Sequence, residues 1–354
     1  MSKLTYIGEK PIASNHAGNK ARLDIDLILE QKFGKSLLNI NQISYKDIFE
    51  KIKWILNLKN IKLLIKLSSI KNKKIILQYP FYFNSILRRS LGQLSKCNEE
   101  ILIVHDVDSL RAIGNQSLGE DIADMNRAVV VILHNQKMID ALHSIGLKTP
   151  TVNLELFDYL LDGGLPKQNY KLGKTIAFAG NLEKSTFLKN ERFEKLHLSF
   201  NLYGPNFDKE KISWNNITYK GSFRPDEIPY NLEGSFGLIW DGETLDTCSG
   251  AFGQYMKYNN PHKLSLYIAA GVPVIVWEEA AIADFVKKHN IGIAVKSLYD
   301  VENIVNSLSC EQYDVFKKNL LVLQQRVISG YYTKRALAEC ENILAEKGID
   351  DVKK

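Results

Sequence analysis

Cysteine is scarce and scattered: Cys97, Cys248, Cys310 and Cys340 form no C-x-x-C pair, so neither a disulfide framework nor a thiolate zinc site is indicated. A reducing, cytoplasmic setting suits such a chain. Long apolar runs are missing as well. No stretch reaches the roughly 18 uninterrupted apolar residues of a membrane span. The start, Met1-Ser2-Lys3-Leu4-Thr5-Tyr6-Ile7, lacks the charged beginning and apolar h-region of a signal peptide. Charge of one sign is in small excess: 46 basic against 40 acidic residues give +6, too mild to hold nucleic acid without strong clustering. Phosphorylated small molecules or an anionic membrane surface are the partners that suit it. A Walker loop, an H-E-x-x-H helix, a G-x-S-x-G elbow, and a G-x-G-x-x-G turn after the first strand are all absent. Their absence sets aside the commonest hydrolases, phosphotransferases and dinucleotide dehydrogenases. No repeat of 20 to 50 residues supports a solenoid.

What is present is an ordinary globular composition, 45% hydrophobic and 24% charged, over 354 residues, a length that suggests two domains. Continuously apolar runs at 74–80, 100–106 and 128–133 alternate with helical stretches such as 135–145, and 148–154 reads as a further strand. That alternation is the pattern of strands buried on both faces of a parallel sheet. A second series begins with 174–180 and continues through 198–204, 236–240 and 272–277, with helices expected over 262–270, 279–288, 298–307 and 311–325. The fold class is α/β, with two doubly wound, Rossmann-like domains. Asp162-Gly163-Gly164-Leu165-Pro166 supplies turn signals for a linker within 161–172. The expected domains are therefore 1–165 and 166–330, with a final helix, 331–354, that packs back on the first.

Lysine clusters in one place, from Tyr45 to Lys74: Lys46, Lys51, Lys53, Lys59, Lys62, Lys66, Lys71, Lys73 and Lys74 stand against Asp47 and Glu50 alone. Ile52, Ile55, Leu56, Ile61, Leu64, Ile65 and Leu67 alternate with them at roughly helical spacing. Such a helix packs its apolar stripe on the sheet or lies on anionic headgroups.

Three loops follow strand ends and can meet phosphate, since ligands of doubly wound sheets bind outside the carboxyl ends of the strands. In Gly180-Asn181-Leu182-Glu183-Lys184-Ser185 the glycine admits close approach of an anion and Lys184 can pair with it, although a Gly-Asn turn is often only a turn. In Asn259-Asn260-Pro261-His262-Lys263, Asn260 is expected to cap a helix, Pro261 to open it and Lys263 to lie in its first turn. A cation there opposes the helix dipole unless an anion shares the site. A charge-assisted phosphate contact of about 1.5–3 kcal/mol offsets that misfit; a solvated surface lysine is the plain alternative. The third loop, Ser14-Asn15-His16-Ala17-Gly18-Asn19-Lys20-Ala21-Arg22, follows the opening strand, and its small residues suit approach of a donor. Ser249-Gly250-Ala251-Phe252-Gly253 reads as a loop that contacts sugar or nucleotide, or as a mobile linker.

The run 236–242, then Thr247-Cys248-Ser249-Gly250-Ala251-Phe252-Gly253, Asn259-Asn260-Pro261-His262-Lys263 and Ala280-Ala281-Ile282-Ala283-Asp284-Phe285 resembles bacterial β-1,6-galactofuranosyltransferases of O-antigen and capsule assembly. Gly18-Asn19-Lys20-Ala21-Arg22 and His105-Asp106-Val107-Asp108 carry the likeness more faintly. More distantly the chain is similar to streptococcal glucosyltransferases that extend N-acetylglucosamine on adhesins, through Arg224-Pro225-Asp226-Glu227 and Ala269-Ala270-Gly271-Val272-Pro273-Val274-Ile275-Val276. The resemblance implies a GT-B fold, UDP in a cleft between the domains and no metal or other cofactor. By the same resemblance Lys184 stands where the family carries a phosphate-binding arginine, Lys263 matches a phosphate-binding lysine, and Phe223 replaces a nucleotide-contacting tyrosine. Lysine for arginine weakens bidentate pairing, and phenylalanine for tyrosine removes a hydroxyl.

The expected reaction is transfer of galactofuranose from UDP-galactofuranose to a glycan or lipid-linked glycan, β-1,6 to an α-glucoside and inverting. Asp106 is the first candidate for the base, His16 the second and Asp241 the third. The expected contacts to substrate and nucleotide come from Ala17, Gly18, Gly180, Asn181, Lys184, Phe223, Ser249, Gly250, Asn260, Lys263 and Ala281. A UDP-glucose-dependent transferase acting on N-acetylglucosamine, and a noncatalytic sugar-nucleotide or glycan-binding partner, are the alternatives. The setting fits a cytoplasmic protein at the inner face of the membrane, with no nucleic acid and with homo-oligomers compatible.

Overall fold

Short strands of Val, Ile and Leu, closed on both faces by helices, build two six-stranded sheets in which every pairing is parallel. The computed structural model describes residues 4–10, 17–41, 48–83, 85–111, 117–166 and 170–352, and of 17–18, 48–51 and 347–352 the backbone alone. The candidate His16, like Ser14 and Asn15, lies outside the described residues. By its contacts the chain divides into two units. One comprises residues 1–14, 22–154 and 333–354, the other 15–21 and 155–332. The division therefore falls at Leu154, before the turn-rich segment 161–172.

The first unit runs β1 (Leu4–Lys10), α1 (Ala17–Phe33, of which the part from Arg22 onward belongs to this unit), β2 (Leu38–Asn41), α2 (Ile48–Leu56), α3 (Leu58–Ser68), β3 (Lys74–Tyr79), α4 (Ser85–Gly92), β4 (Glu99–Val104), α5 (Leu118–Met125), β5 (Val130–Leu133), α6 (Gln136–Ser144) and β6 (Thr151–Asn153). Its strand order is β2-β1-β3-β4-β5-β6. The basic stretch is two helices rather than one, because the Asn57 side chain accepts from the Lys59 N–H and starts α3 afresh. The strand expected over 148–154 shortens to three residues, since Pro150 ahead of it offers no N–H to a ladder.

Glu100 is a strained feature of this sheet: a carboxyl on β4 only 4% exposed, whose Oε1 has no hydrogen-bond partner among the described residues. Burial, only partly offset by Arg127, pushes its pKa from 4.5 up to about 8. The folded unit therefore keeps a proton that the unfolded chain releases above about pH 4.5, and the site loses stability as pH climbs towards 8. Glu100→Gln, which mimics the protonated acid, is expected to raise stability by about 2–4 kcal/mol at pH 9 and far less at pH 5. Urea unfolding at both pH values checks this; equal gains at both would contradict it.

The second unit runs β7 (Thr175–Ala179), β8 (Ser199–Tyr203), β9 (Ile217–Gly221), α7 (Ile228–Asn231), β10 (Phe236–Ile239), α8 (Gly250–Tyr255), α9 (His262–Ala270), β11 (Val274–Trp277), α10 (Ala283–His289), β12 (Gly292–Val295), α11 (Val301–Ser307) and α12 (Cys310–Ile328). A last helix, α13 (Tyr331–Val352), belongs from Thr333 onward to the first unit, where Arg335 donates to the carbonyls of Asn153 and Leu154. The order β12-β11-β10-β7-β8-β9 reverses direction at β7 and β10, the switch point where doubly wound sheets leave a crevice for ligands. These two strands pair only at Phe236 with Ile176 and Gly237 with Ala177. Beyond that the Tyr267 phenol of α9 joins them, accepting from the Ala179 N–H at 2.9 Å and lying 3.2 Å from the Leu238 carbonyl. Its ring rests on Gly237, where an added Cβ would come within 2.4 Å of the ring.

Candidate functional site at the switch point of the second unit

Gly180 follows β7 and Asp241 comes two residues after β10, so the two flank the switch point. Lys263, in the first turn of α9, reaches between them. Its Nζ lies 2.7 Å from Asp241 Oδ1, 3.5 Å from the Trp240 carbonyl and 4.9 Å from the centre of the Phe178 ring. The lysine stem passes over Gly180, where any Cβ would stand 3.1 Å from Lys263 Cε. The sequence therefore brings three of its candidates, Gly180, Asp241 and Lys263, into direct contact. The side chains are 16% and 32% exposed, so the pair is partly accessible to solvent.

Two expectations about this helix are corrected. Asn260 does not cap α9: its amide donates to the Glu155 carbonyl, and Pro261 occupies the cap position without a side-chain bond. A lysine at a helix start needs an anion nearby, but Asp241 already supplies one, so the misfit read from sequence does not by itself require phosphate. Next to Lys263, the His262 ring stacks on Tyr159 and contacts the Asp158 carbonyl. Burial, with Lys20 adding to it, lowers the His262 pKa to about 4, so the ring is neutral near pH 7.

Around this centre the other candidates divide by what they already do. Asn181 makes the turn: its Oδ1 accepts from the Glu183 N–H and the Asn206 amide, and its carbonyl accepts from the Ser185 hydroxyl. Lys184 is exposed and stands 5.9 Å from the centre of the Phe252 ring. Ser249 and Gly250 are not a loop but the start of α8, short and helical through Tyr255. Gly250 has φ +71°, and a Cβ there would meet the Glu243 carboxylate at 2.6 Å. The Ser249 hydroxyl lies 3.3 Å from that of Thr244. Phe223 is half-buried, its ring 6.1 Å from that of Tyr203. Ala281 is buried and its N–H donates to the Met256 carbonyl, so it braces the loop before α10. Ala17 and Gly18 lie in the first turn of α1, whose Lys20 donates to the Leu160 carbonyl and lies over the Tyr159 ring.

Gly204 packs against the candidate site and was not singled out from the sequence. The β7–β8 register pairs Ala179 with Tyr203, which sets Gly180 beside Gly204. The Gly180 N–H donates to the Tyr203 carbonyl, and the Gly204 N–H to that of Gly221. Gly204 has φ +137°, and a Cβ there would fall 1.9 Å from the Gly180 carbonyl oxygen. The available signal was two parallel-reading strands that each end in glycine. Gly204→Ala is expected to cost about 3–5 kcal/mol, from the unfavourable φ and the backbone collision together. A thermal melt within about 1 kcal/mol of wild type would contradict the close approach.

In the first unit Asp106 lies two residues past β4, with Oδ2 at 2.8 Å from Arg111, which also holds Asp108 at 3.1 Å. Burial raises the Asp108 pKa, with Arg111 opposing it. Arg111, not singled out from sequence, fixes both carboxylates. Below them His105 bonds Gln78, whose amide donates to Asp26. This supports reading His105 as structural.

Comparison with known proteins accords with this architecture. The family model described as Glucosyltransferase 3-like, N-terminal domain matches residues 6–156, and Glucosyltransferase 3-like, C-terminal domain matches 176–340. The chain is 30% identical to the β-1,6-galactofuranosyltransferase WbbI of Escherichia coli K12, over 99% of both chains. It is 28% identical to Glucosyltransferase 3 of Streptococcus parasanguinis, over 68% of this chain and 69% of that one. Among solved structures, sucrose-phosphate synthase of Thermosynechococcus elongatus superposes with TM-score 0.62 at 11% identity, covering 99% of this chain and 100% of the other. A trehalose-6-phosphate synthase of Burkholderia multivorans gives 0.60 at 11% identity, over 99% and 98%. The chain belongs to the Glucosyltransferase 3-like glycosyltransferases and has the GT-B fold.

Proposed function

We propose that this glycosyltransferase moves galactofuranose from UDP-galactofuranose to a glycan or lipid-linked glycan of a cell-surface polysaccharide, forming a β-1,6 bond to an α-glucoside with inversion. The observation that carries the donor half is Lys263 at the switch point, threaded over Gly180 and countered by a partly exposed Asp241. A diphosphate entering there displaces Asp241 from the lysine, gains a charge-assisted contact, and leaves the carboxylate to accept from a sugar hydroxyl. Lys263, with Lys184 on the neighbouring loop, offsets charge on the departing UDP, as a metal-independent transfer requires. Asp106 is assigned as the base that takes the proton of the acceptor hydroxyl, with His16 next in line. The choice of galactofuranose rests on the identity with WbbI across 99% of both chains.

A UDP-glucose donor with an N-acetylglucosamine acceptor is the second reading, favoured by the match to the streptococcal Glucosyltransferase 3. Product analysis separates them. Incubation with UDP-galactofuranose and an octyl α-glucoside, followed by NMR of the glycan, is expected to show a β-furanoside on O6; a glucosylated N-acetylglucosamine formed only from UDP-glucose would replace this reading with the second.

A further inference from the structure

Helix α3 carries two apolar stripes where a surface helix needs one. Asn60, Leu63, Leu64 and Leu67 recur at helical spacing and are the less exposed set, with Leu67 fully buried. At about 100° per residue, Leu58, Ile61 and Ile65 fall on the far side of the helix, and they are 73%, 38% and 62% exposed. Lys59, Lys62 and Lys66 form a parallel exposed stripe one residue along. Helix α2 repeats the arrangement: Trp54 is buried, while Ile52 and Leu56 are exposed on the opposite side, Leu56 at 71%, with Ile55 exposed at the edge of that face. Packing within the first unit, where α3 meets α2 and α4, accounts for the first stripe and leaves the second uncovered.

We propose that the outer faces of α2 and α3 dock on an anionic lipid bilayer. Isolated exposed apolar residues need no explanation, but a continuous stripe bordered by lysines does. Around it, Lys53, Lys71 and Lys73 are exposed as well, and no acidic residue lies between Lys51 and Lys96. An apolar stripe sinks into the headgroup boundary while flanking lysines extend along it to the phosphates. Each basic residue near such a surface adds to the attraction, and the sum fades with salt. No helix among the described residues is long and apolar enough to cross a membrane, so the contact lies in the plane of the surface. It would hold the enzyme beside lipid-borne substrates without a spanning segment.

The test is sedimentation of the full chain with vesicles of equal parts phosphatidylglycerol and phosphatidylcholine, against phosphatidylcholine alone. Wild type is expected to partition to the anionic vesicles and to be released as salt rises. The combined Lys59→Glu, Lys62→Glu and Lys66→Glu variant is expected to bind about a hundredfold more weakly, and Leu58→Ser with Ile61→Ser and Ile65→Ser about tenfold more weakly even at low salt. Both variants are expected to keep the wild-type circular dichroism spectrum and turnover with soluble substrates. Wild type that ignores anionic vesicles, or binds both compositions equally, overturns the proposal whatever the variants do. So does light scattering showing a dimer that the serine variant dissolves, since a second copy would then cover this face.

Discussion

Asp106→Asn is expected to lower the rate of sugar transfer by about 10²–10⁴-fold, the usual worth of a positioned general base, while UDP affinity stays close to wild type. Asp106 follows β4 at its carboxyl end, and Arg111 fixes its carboxylate at 2.8 Å. Asparagine keeps the shape and removes the charged proton acceptor, so a fall in kcat with little change in donor KM isolates the chemical step. Asp108→Asn is the matched control, because Arg111 holds both carboxylates. It is expected to have the smaller effect. If the large loss appears at Asp108 and not at Asp106, the base is Asp108. Steady-state kinetics with acceptor in excess, beside thermal melts of both variants, decide it.

Lys263→Ala is expected to reduce kcat/KM by about 10²–10³-fold, comparable to loss of one preorganised group facing developing charge. The melt should shift little, since a partly exposed ion pair contributes about 0–1 kcal/mol. Two effects add: the cation is gone, and Asp241 is left unopposed where diphosphate would bind. Lys263→Arg restores charge but must fit a bulkier, planar head past Gly180, where the lysine stem already lies 3.1 Å from a would-be Cβ. Partial rescue is therefore expected. A folded Lys263→Ala variant with wild-type turnover would remove the lysine from the mechanism.

The fold was legible because both sheets announce themselves through strands buried on two faces, where sequence is continuously apolar: Ile75–Leu77, Ile101–Val104, Ile176–Ala179 and Val274–Trp277. Less legible were features made by partners distant in sequence. Asn260 reads as a helix cap, yet its amide goes to Glu155, across more than a hundred residues. Lys263 reads as a cation in want of an anion, and local sequence gave no sign that Asp241, at the end of another strand, already answers it. Gly250 and Gly253 read as loop because small residues disfavour helices, but a single short turn was needed beneath the Asp241-Gly242 bend: a Cβ on Gly253 would strike the Cys248 carbonyl carbon at 2.4 Å. The basic stretch showed its lysines and its apolar period in the sequence. Only burial separates its apolar residues into a packed stripe and an uncovered one.

The measurement that bears most directly on the central claim is UDP release from UDP-galactofuranose, UDP-galactopyranose and UDP-glucose, each with an α-glucoside and with N-acetylglucosamine, for wild type and Lys263→Ala. Acceptor-dependent release from the furanose donor, absent with the other two and lost in Lys263→Ala, is the predicted result. Release that is indifferent to Lys263, or that occurs with UDP-glucose and not with the furanose donor, would contradict it.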